Sequence, residues 1–250
     1  MFYPNTKKTM NEDAQKKLLK IVKNNYEEIA DEFHQTRMKN WQPLWGEVVK
    51  FASRVKDGES ILDLGCGNGR VLNALAGKKI SYIGIDNSSK IIEHARSNYQ
   101  LSIINYQFIV GDILGLDKIK EVADRKFDYI FCVAVLHHIP GQELRIGFLR
   151  QAEKYLKPGG KMLLTSWNIW EQKRFYLVLA KSILLKLAGR YEYDFGDILF
   201  PWKGKNLNSL RYYHAFTKGE LKRLAEKSGC AAERIFKDKF NYYLVISKKP

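Results

Sequence analysis

Cysteine, acid and long apolar runs are all scarce in this chain. The three cysteines, Cys66, Cys132 and Cys230, are odd in number and far apart. That excludes a disulfide framework, and the lack of any C-x-x-C spacing excludes a cysteine zinc site, so a reducing cytoplasm is the expected compartment. No run of about 18 uncharged apolar residues occurs, and no membrane span is expected. The stretch MFYPNTKKTMNEDAQKKLLK holds no apolar signal core. No internal repeat or low-complexity segment is found. Acids number 27 against 42 lysines and arginines, a net charge of +15. Such an excess favours polyanionic partners, nucleic acid above all, through steering and counterion release. A generally lysine-rich composition would produce the same excess.

The 250 residues suffice for one large domain or two small ones. Residues 1–10 are expected to be disordered. From Asn11, apolar residues recur at helical spacing: Leu18, Val22, Tyr26, Ile29 and Phe33. A second helical run ends at KDGES. Strand and helix patterns then alternate. SILDLG, SYIGID, YQFIVGD, a long KFDYIFCVAVL and KMLLTSW read as strands; GRVLNALAG, SSKIIEHARSNY and GQELRIGFLRQAEKYL read as helices. This alternation implies crossover units and a parallel sheet. After Trp167 the rhythm changes. EQKRFYLVLAKSILLKLAGR reads as a helix and YEYDFGDILFPWKGKNLNSLRYYHAF as a loop, followed by a capped helix and two closing strands. Residues 1–25 are read as an N-terminal extension, partly disordered or helical. Residues 26–250 are read as one domain with a helical and loop insertion at about 169–211.

The stretch ILDLGCGNGR puts Gly65, Gly67 and Gly69 where a strand hands over to a helix. Glycine loses the most backbone freedom on folding, so three of them imply a sharp bend and close approach of another molecule. Asp86 ends the next strand, where an acid can accept hydrogen bonds from ribose hydroxyls. Asp112 ends the third, beside Ile113, and an acid next to an apolar side chain suits an adenine. Each acid, with Asp63, could instead cap a helix.

ILDLGCGNGR, YIGIDNS, VGDI, FDYIFCVAVLHHI and YLKPGGKMLLTSW together resemble the class I S-adenosylmethionine-dependent methyltransferases, over residues 60–168. The resemblance implies a Rossmann-like α/β fold, with a mostly parallel seven-stranded sheet and helices on both faces. It places Gly65, Gly67 and Gly69 against the methionine part of S-adenosylmethionine. Asp63 orders that loop or meets the amino group, Asp86 holds the ribose, and Asp112 with Ile113 holds the adenine. Asn68, Asn87, Val133, Ala134 and His137 complete the implied cofactor set, with Arg37 and Trp41 as a lid. No metal site is implied.

YEEIADEFHQTRMKNWQPLW, AVLHHI, DILFPWK and RYYHAFTKGEL narrow the resemblance to the tRNA wobble-uridine carboxymethyl methyltransferases, over residues 26–221. Those enzymes methylate the carboxylate of 5-carboxymethyluridine to its methyl ester. A carboxylate with a pKa near 4 is already ionised at neutral pH. The site then needs cations and donors more than a base, and Arg211, Tyr213, His214 and His138 are the implied acceptor residues. By the resemblance, eukaryotic and archaeal relatives use a small zinc-binding activator, which here would pair with residues 105–110; the alternative is a bacterial-type enzyme that stands alone. Two alternatives remain at this stage: a small-molecule methyltransferase, and a non-catalytic module that keeps the cofactor pocket.

Overall fold

The computed structural model describes residues 10–39, 46–99, 105–203 and 208–249. The disorder expected over 1–10 falls outside them apart from Met10, and so does Trp41. Helix α1 (Glu12–Glu28) begins where Asn11 accepts a hydrogen bond from the Ala14 N–H at 2.7 Å, with Glu12 and Asp13 in the first turn. A side-chain cap and acids at the positive helix end both favour a start there. The expected boundary at 25/26 lies inside this helix. Helix α2 (Ala30–Lys39) follows at once, then α3 (Gly46–Ala52).

The alternating part is β1 (Ser60–Leu64), α4 (Val71–Ala74), β2 (Ser81–Asp86), α5 (Ser89–Asn98), β3 (Asn105–Val110), β4 (Phe127–Cys132), α6 (Gln142–Lys154) and β5 (Leu156–Trp167). Next come α7 (Tyr176–Leu187), β6 (Asp197–Lys203) and β7 (Asn208–His214). The chain closes with α8 (Lys218–Ser228), β8 (Ala232–Lys237) and β9 (Asn241–Ser247). Seven strands form one sheet in the order β3-β2-β1-β4-β5-β9-β8. The first five pair in parallel, and β9 runs antiparallel to β5 and β8. This is the mostly parallel seven-stranded sheet expected. Strand order reverses between β1 and β4, which opens a crevice at their carboxyl ends.

Alternation along the strands builds a core on each face. Leu62 and Leu64 of β1 join Ile83, Leu149 of α6 and Leu224 of α8 on one side. Ile61 joins Tyr82, Phe51 of α3 and Ile92 of α5 on the other. Each such aliphatic side chain contributes about 1.5–3 kcal/mol by leaving water.

Three expectations need correction. The helix read over GRVLNALAG is only the four residues of α4. The long strand read over KFDYIFCVAVL stops at Cys132, because Ala134 takes a left-handed φ of 58° and turns the chain. The stretch read as a loop after α7 is an antiparallel hairpin, β6–β7. Its two faces are both buried: Ile198 and Tyr213 pack on Phe175 and Leu179, while Tyr212 packs on Leu18 of α1. RYYH alternates two polar and two aromatic residues across these faces, so the usual apolar alternation of a strand is hidden.

Candidate active site

A cavity of about 470 Å³ opens at the carboxyl ends of the parallel strands. After β1 the chain turns through Gly65 and Gly67, at φ 71° and 55°. A Cβ on Gly65 would lie 2.4 Å from the Val135 side chain, and one on Gly67 would lie 3.4 Å from the Phe33 ring of α2. Both positions line the cavity with Asn68. Gly69 does not: a Cβ there would strike the rings of Tyr99 and Phe108 at 2.7 and 2.8 Å. It instead lets the turn pack closely against Tyr99 and Phe108, so the structure does not bring Gly69 into the cavity lining with the other two glycines.

Asp63 is buried, and its Oδ2 accepts from the Tyr82 hydroxyl at 2.7 Å. Its Oδ1 is buried without a partner in the protein, and burial pushes the carboxyl up to about 7. A buried polar atom without a partner calls for a ligand. An orphaned carboxylate oxygen in a cavity wall fits the cationic amine of S-adenosylmethionine. Asp86 accepts from the Gly67 N–H on Oδ2 and from the Ser88 N–H on Oδ1, each at 3.0 Å. These bonds fix the carboxylate, and each oxygen keeps a lone pair for a hydroxyl donor. Burial raises its pKa against the pull of those N–H groups. Asp112 both caps and lines: its Oδ1 accepts from the Leu114 N–H at 2.9 Å, and it meets the cavity with Ile113 and Asn87. Val133 and Ala134 form the wall past β4, with the Ala134 N–H donating to Thr165 Oγ1 at 2.8 Å. Arg37 of α2 also lines the cavity, its guanidinium 5.3 Å from the Phe33 ring centre.

The far end of the cavity is aromatic. His137 and His138 line it with Tyr26 and Trp167. His138 Nδ1 lies 3.3 Å from the Tyr212 carbonyl oxygen, and its Nε2 lies 2.8 Å from the Tyr26 hydroxyl. A carbonyl can only accept, so Nδ1 carries the proton and Tyr26 donates to Nε2. Burial, then the nearby Arg211 charge, holds the pKa of His138 down to about 3. His138 is therefore a neutral holder of Tyr26. Burial likewise keeps His137 neutral, its ring 5.5 Å from that of Trp167 and its Nδ1 unpartnered.

Arg211, Tyr213 and His214 were expected in one short loop beside the acceptor. They stand instead on β7, where alternation puts Arg211 and Tyr213 on one face and His214 on the other. None of the three lines the cavity. Arg211 is buried, donating from Nε to Asn25 Oδ1 at 2.9 Å and from Nη1 to the Tyr213 hydroxyl at 3.1 Å. Tyr213 packs edge-on against Trp167, His137 and His138. His214 lies between two carboxylates, with Nδ1 2.6 Å from Asp197 and Nε2 2.7 Å from Glu220. Arg145 of α6 completes that buried cluster. The structure thus makes His214 part of a structural lock and not of the acceptor surface. Sequence reading missed Tyr26, Phe33, Trp167 and Arg174 as cavity residues. Trp167 ends β5, and the strand-end rule could have found it; Tyr26 and Phe33 read only as a helix face.

Among the described residues no cluster of histidine, cysteine and acids could hold a metal, and no helix is long and apolar enough to cross a membrane.

Three successive parallel strands deliver an acid each to one crevice, around a glycine turn with no phosphate-gripping lysine. That arrangement defines a class I S-adenosylmethionine-dependent methyltransferase. The family described as Methyltransferase domain matches residues 55–229, and the chain belongs to it. A tRNA (carboxymethyluridine(34)-5-O)-methyltransferase of Schizosaccharomyces pombe is 27% identical over 232 residues, covering 89% of this chain and 94% of its own length. A protein of the same description from Xenopus tropicalis is 25% identical over 89% of this chain, which spans 40% of the Xenopus protein. Among solved structures, a SAM-dependent methyltransferase of Methanosarcina mazei superposes with a TM-score of 0.64 at 20% identity, covering 80% of this chain and 97% of its own.

Proposed function

We propose that the chain methylates the side-chain carboxylate of 5-carboxymethyluridine at the tRNA wobble position, giving the methyl ester. The observation that carries this reading is the far end of the cavity: aromatic rings and Arg174, with both histidines neutral and no carboxylate there among the described residues. A site that must deprotonate its acceptor needs a base whose pKa lies near the working pH. The far end has none among the described residues, since Asp63, which titrates at about 7, stands at the glycine turn; this suits an acceptor that is already an anion. The names of the S. pombe and Xenopus relatives agree with it.

Asp63, Asp86 and Asp112 with Ile113 hold the cofactor, and Arg37 and Phe33 cover it. S-adenosylmethionine supplies a methyl group on a positively charged sulfur, which an ionised oxygen takes without help from a base. The protein's share is to orient the carboxylate, supply matching positive charge and exclude water. The product makes a direct test possible. Methyl label transferred to tRNA should leave as methanol under mild alkali, because an ester hydrolyses there. A label that survives alkali, or that goes only to small metabolites, contradicts the reading.

The net charge of +15 gives this reading an electrostatic footprint. The logarithm of tRNA affinity should fall steeply and linearly with the logarithm of salt concentration. Lys173, Lys181 and Arg190 are exposed around α7 and should contribute; a flat plot excludes them as a phosphate-binding surface. Among the described residues β3 pairs only with β2, and it ends in an exposed Val110, so it offers an open edge. Such an edge can accept a strand from a partner, and we place the small zinc-binding activator there. Full activity of the purified chain by itself removes that requirement. The three cysteines are free and buried, in keeping with action in the cytoplasm.

A further inference from the structure

Four arginines stand near the cavity, and they do different work. Arg70 lines it near the glycine turn, at the cofactor end. Arg37 lies over Phe33, itself against Gly67, and so belongs to the cofactor lid. Arg211 is buried in β7 and spends Nε and Nη1 on Asn25 and Tyr213. Arg174 is placed otherwise. It lies in the short 3-10 turn Lys173–Phe175, which joins β5 to α7, and lines the cavity beside Trp167 and Gln172.

The Arg174 guanidinium lies 5.2 Å from the Trp167 ring centre and 4.7 Å from that of Phe175. Nη2 donates to Gln172 Oε1 at 2.8 Å. Contacts of this kind with aromatic rings leave a guanidinium's N–H groups able to donate, and one of them is held by Gln172. The guanidinium fork matches a carboxylate, two parallel N–H donors to two oxygens. Trp167 is itself braced, by the His137 ring at 5.5 Å and the Tyr213 ring at 5.1 Å. The RYYH strand therefore reaches the acceptor indirectly, through Tyr213 and Trp167. Burial lowers the pKa of Arg174; Tyr213 opposes this, and the charges of Arg37 and Arg211 add to it. An arriving anion relieves that crowding of positive charge.

Building on the proposed function, we infer that Arg174, braced on Trp167, is the residue that binds the acceptor carboxylate and sets specificity for it, and that Arg211 is a positioning residue behind it. Among the described residues, no carboxylate of the cavity lining stands at this end to compete for Arg174.

The test compares two tRNAs that differ only at the wobble side chain: 5-carboxymethyluridine and its neutral amide, 5-carbamoylmethyluridine. Their Kd ratio cancels the phosphate contacts and any general loss of tRNA binding. The wild type should prefer the carboxylate by about 10- to 100-fold, the scale of a charge-assisted pair. Arg174→Gln should bring the ratio close to one while S-adenosylmethionine affinity stays put. Arg174→Lys keeps the charge without the fork and should fall between, which covers the case of a glutamine variant that folds poorly. Arg37→Gln should keep the preference. An Arg174→Gln protein with the wild-type ratio overturns the assignment, as does a wild type with no preference. A wild type that prefers the carboxylate but transfers no methyl contradicts the proposed function alone.

Discussion

Asp197→Ala is expected to destabilise the chain by about 3–5 kcal/mol, the cost of removing one partner from a buried charge cluster. Asp197 is fully buried. It accepts from the Tyr212 hydroxyl at 2.8 Å, from His214 Nδ1 at 2.6 Å and from Arg145 Nη2 at 3.4 Å. Arg145 is anchored further by the Ile139 carbonyl oxygen at 2.8 Å, and it lies over Phe216. Two positive groups, Arg145 and protonated His214, balance two negative ones, Asp197 and Glu220. Truncating Asp197 leaves the positive pair short of a partner inside the protein. The cluster ties α6, β6, β7 and α8 together, and its loss frees the strand that carries Arg211 and Tyr213. Equilibrium urea unfolding measures the effect; a stability near wild type contradicts the lock.

The same cluster has a pH signature. Burial and Arg145 oppose the charge on His214, yet Glu220 and Asp197 outweigh them and its pKa is raised. A pKa raised on folding adds stability below the unfolded value, about 6.5, and that stability is lost as pH rises through the folded value. Glu220 is the reverse case. Burial opposes its charge, but His214 and Arg145 pull its pKa down. Its contribution is present above about 4.5 and lost as pH falls through the folded value. Stability from the cluster should peak between these limits, and the Asp197→Ala profile should lose that peak.

Asp63→Asn is expected to weaken S-adenosylmethionine binding by about 1.5–3 kcal/mol, roughly 10- to 150-fold. Asparagine keeps the shape and can still accept from Tyr82, so the change isolates the charge. The buried Asp63 carboxyl titrates at about 7. A folded pKa above the unfolded one costs stability as pH rises from the unfolded value, about 4, to the folded one, and the full cost of ionising without water remains above it. A cationic amine removes that penalty, because it pairs with the ionised form. Wild-type affinity should thus rise as pH passes through 7, while the variant's stays level between pH 6 and 8. The variant without cofactor should also be more stable than the wild type at pH 8. Calorimetry of cofactor binding across that range checks both, and a variant with the wild-type pH dependence removes Asp63 from the amine site.

Most of the sheet was legible because its strands are short apolar runs broken by glycine and acid. Asp63, Asp86 and Asp112 stood out for the same reason: each is a charge at or just past the carboxyl end of an apolar run. Three kinds of feature were hidden. The left-handed turn at Ala134 has no glycine to announce it. The β6–β7 hairpin buries both faces, one against aromatics and one in a polar network, so neither reads as apolar alternation. Arg174 looked like one more cation on a basic helix, since its worth depends on Trp167, which the fold brings under it. His214 shows the converse error. A histidine three residues after an arginine suggested a shared site, but in a strand positions an odd number apart face opposite ways.

Nucleoside mass spectrometry tests the central claim most directly. tRNA carrying 5-carboxymethyluridine is incubated with the purified chain and S-adenosylmethionine, digested and analysed. The account predicts that 5-carboxymethyluridine is converted to its methyl ester at the wobble position and that no other nucleoside gains a methyl group. An unchanged 5-carboxymethyluridine, with the methyl found on a different nucleoside, would contradict it.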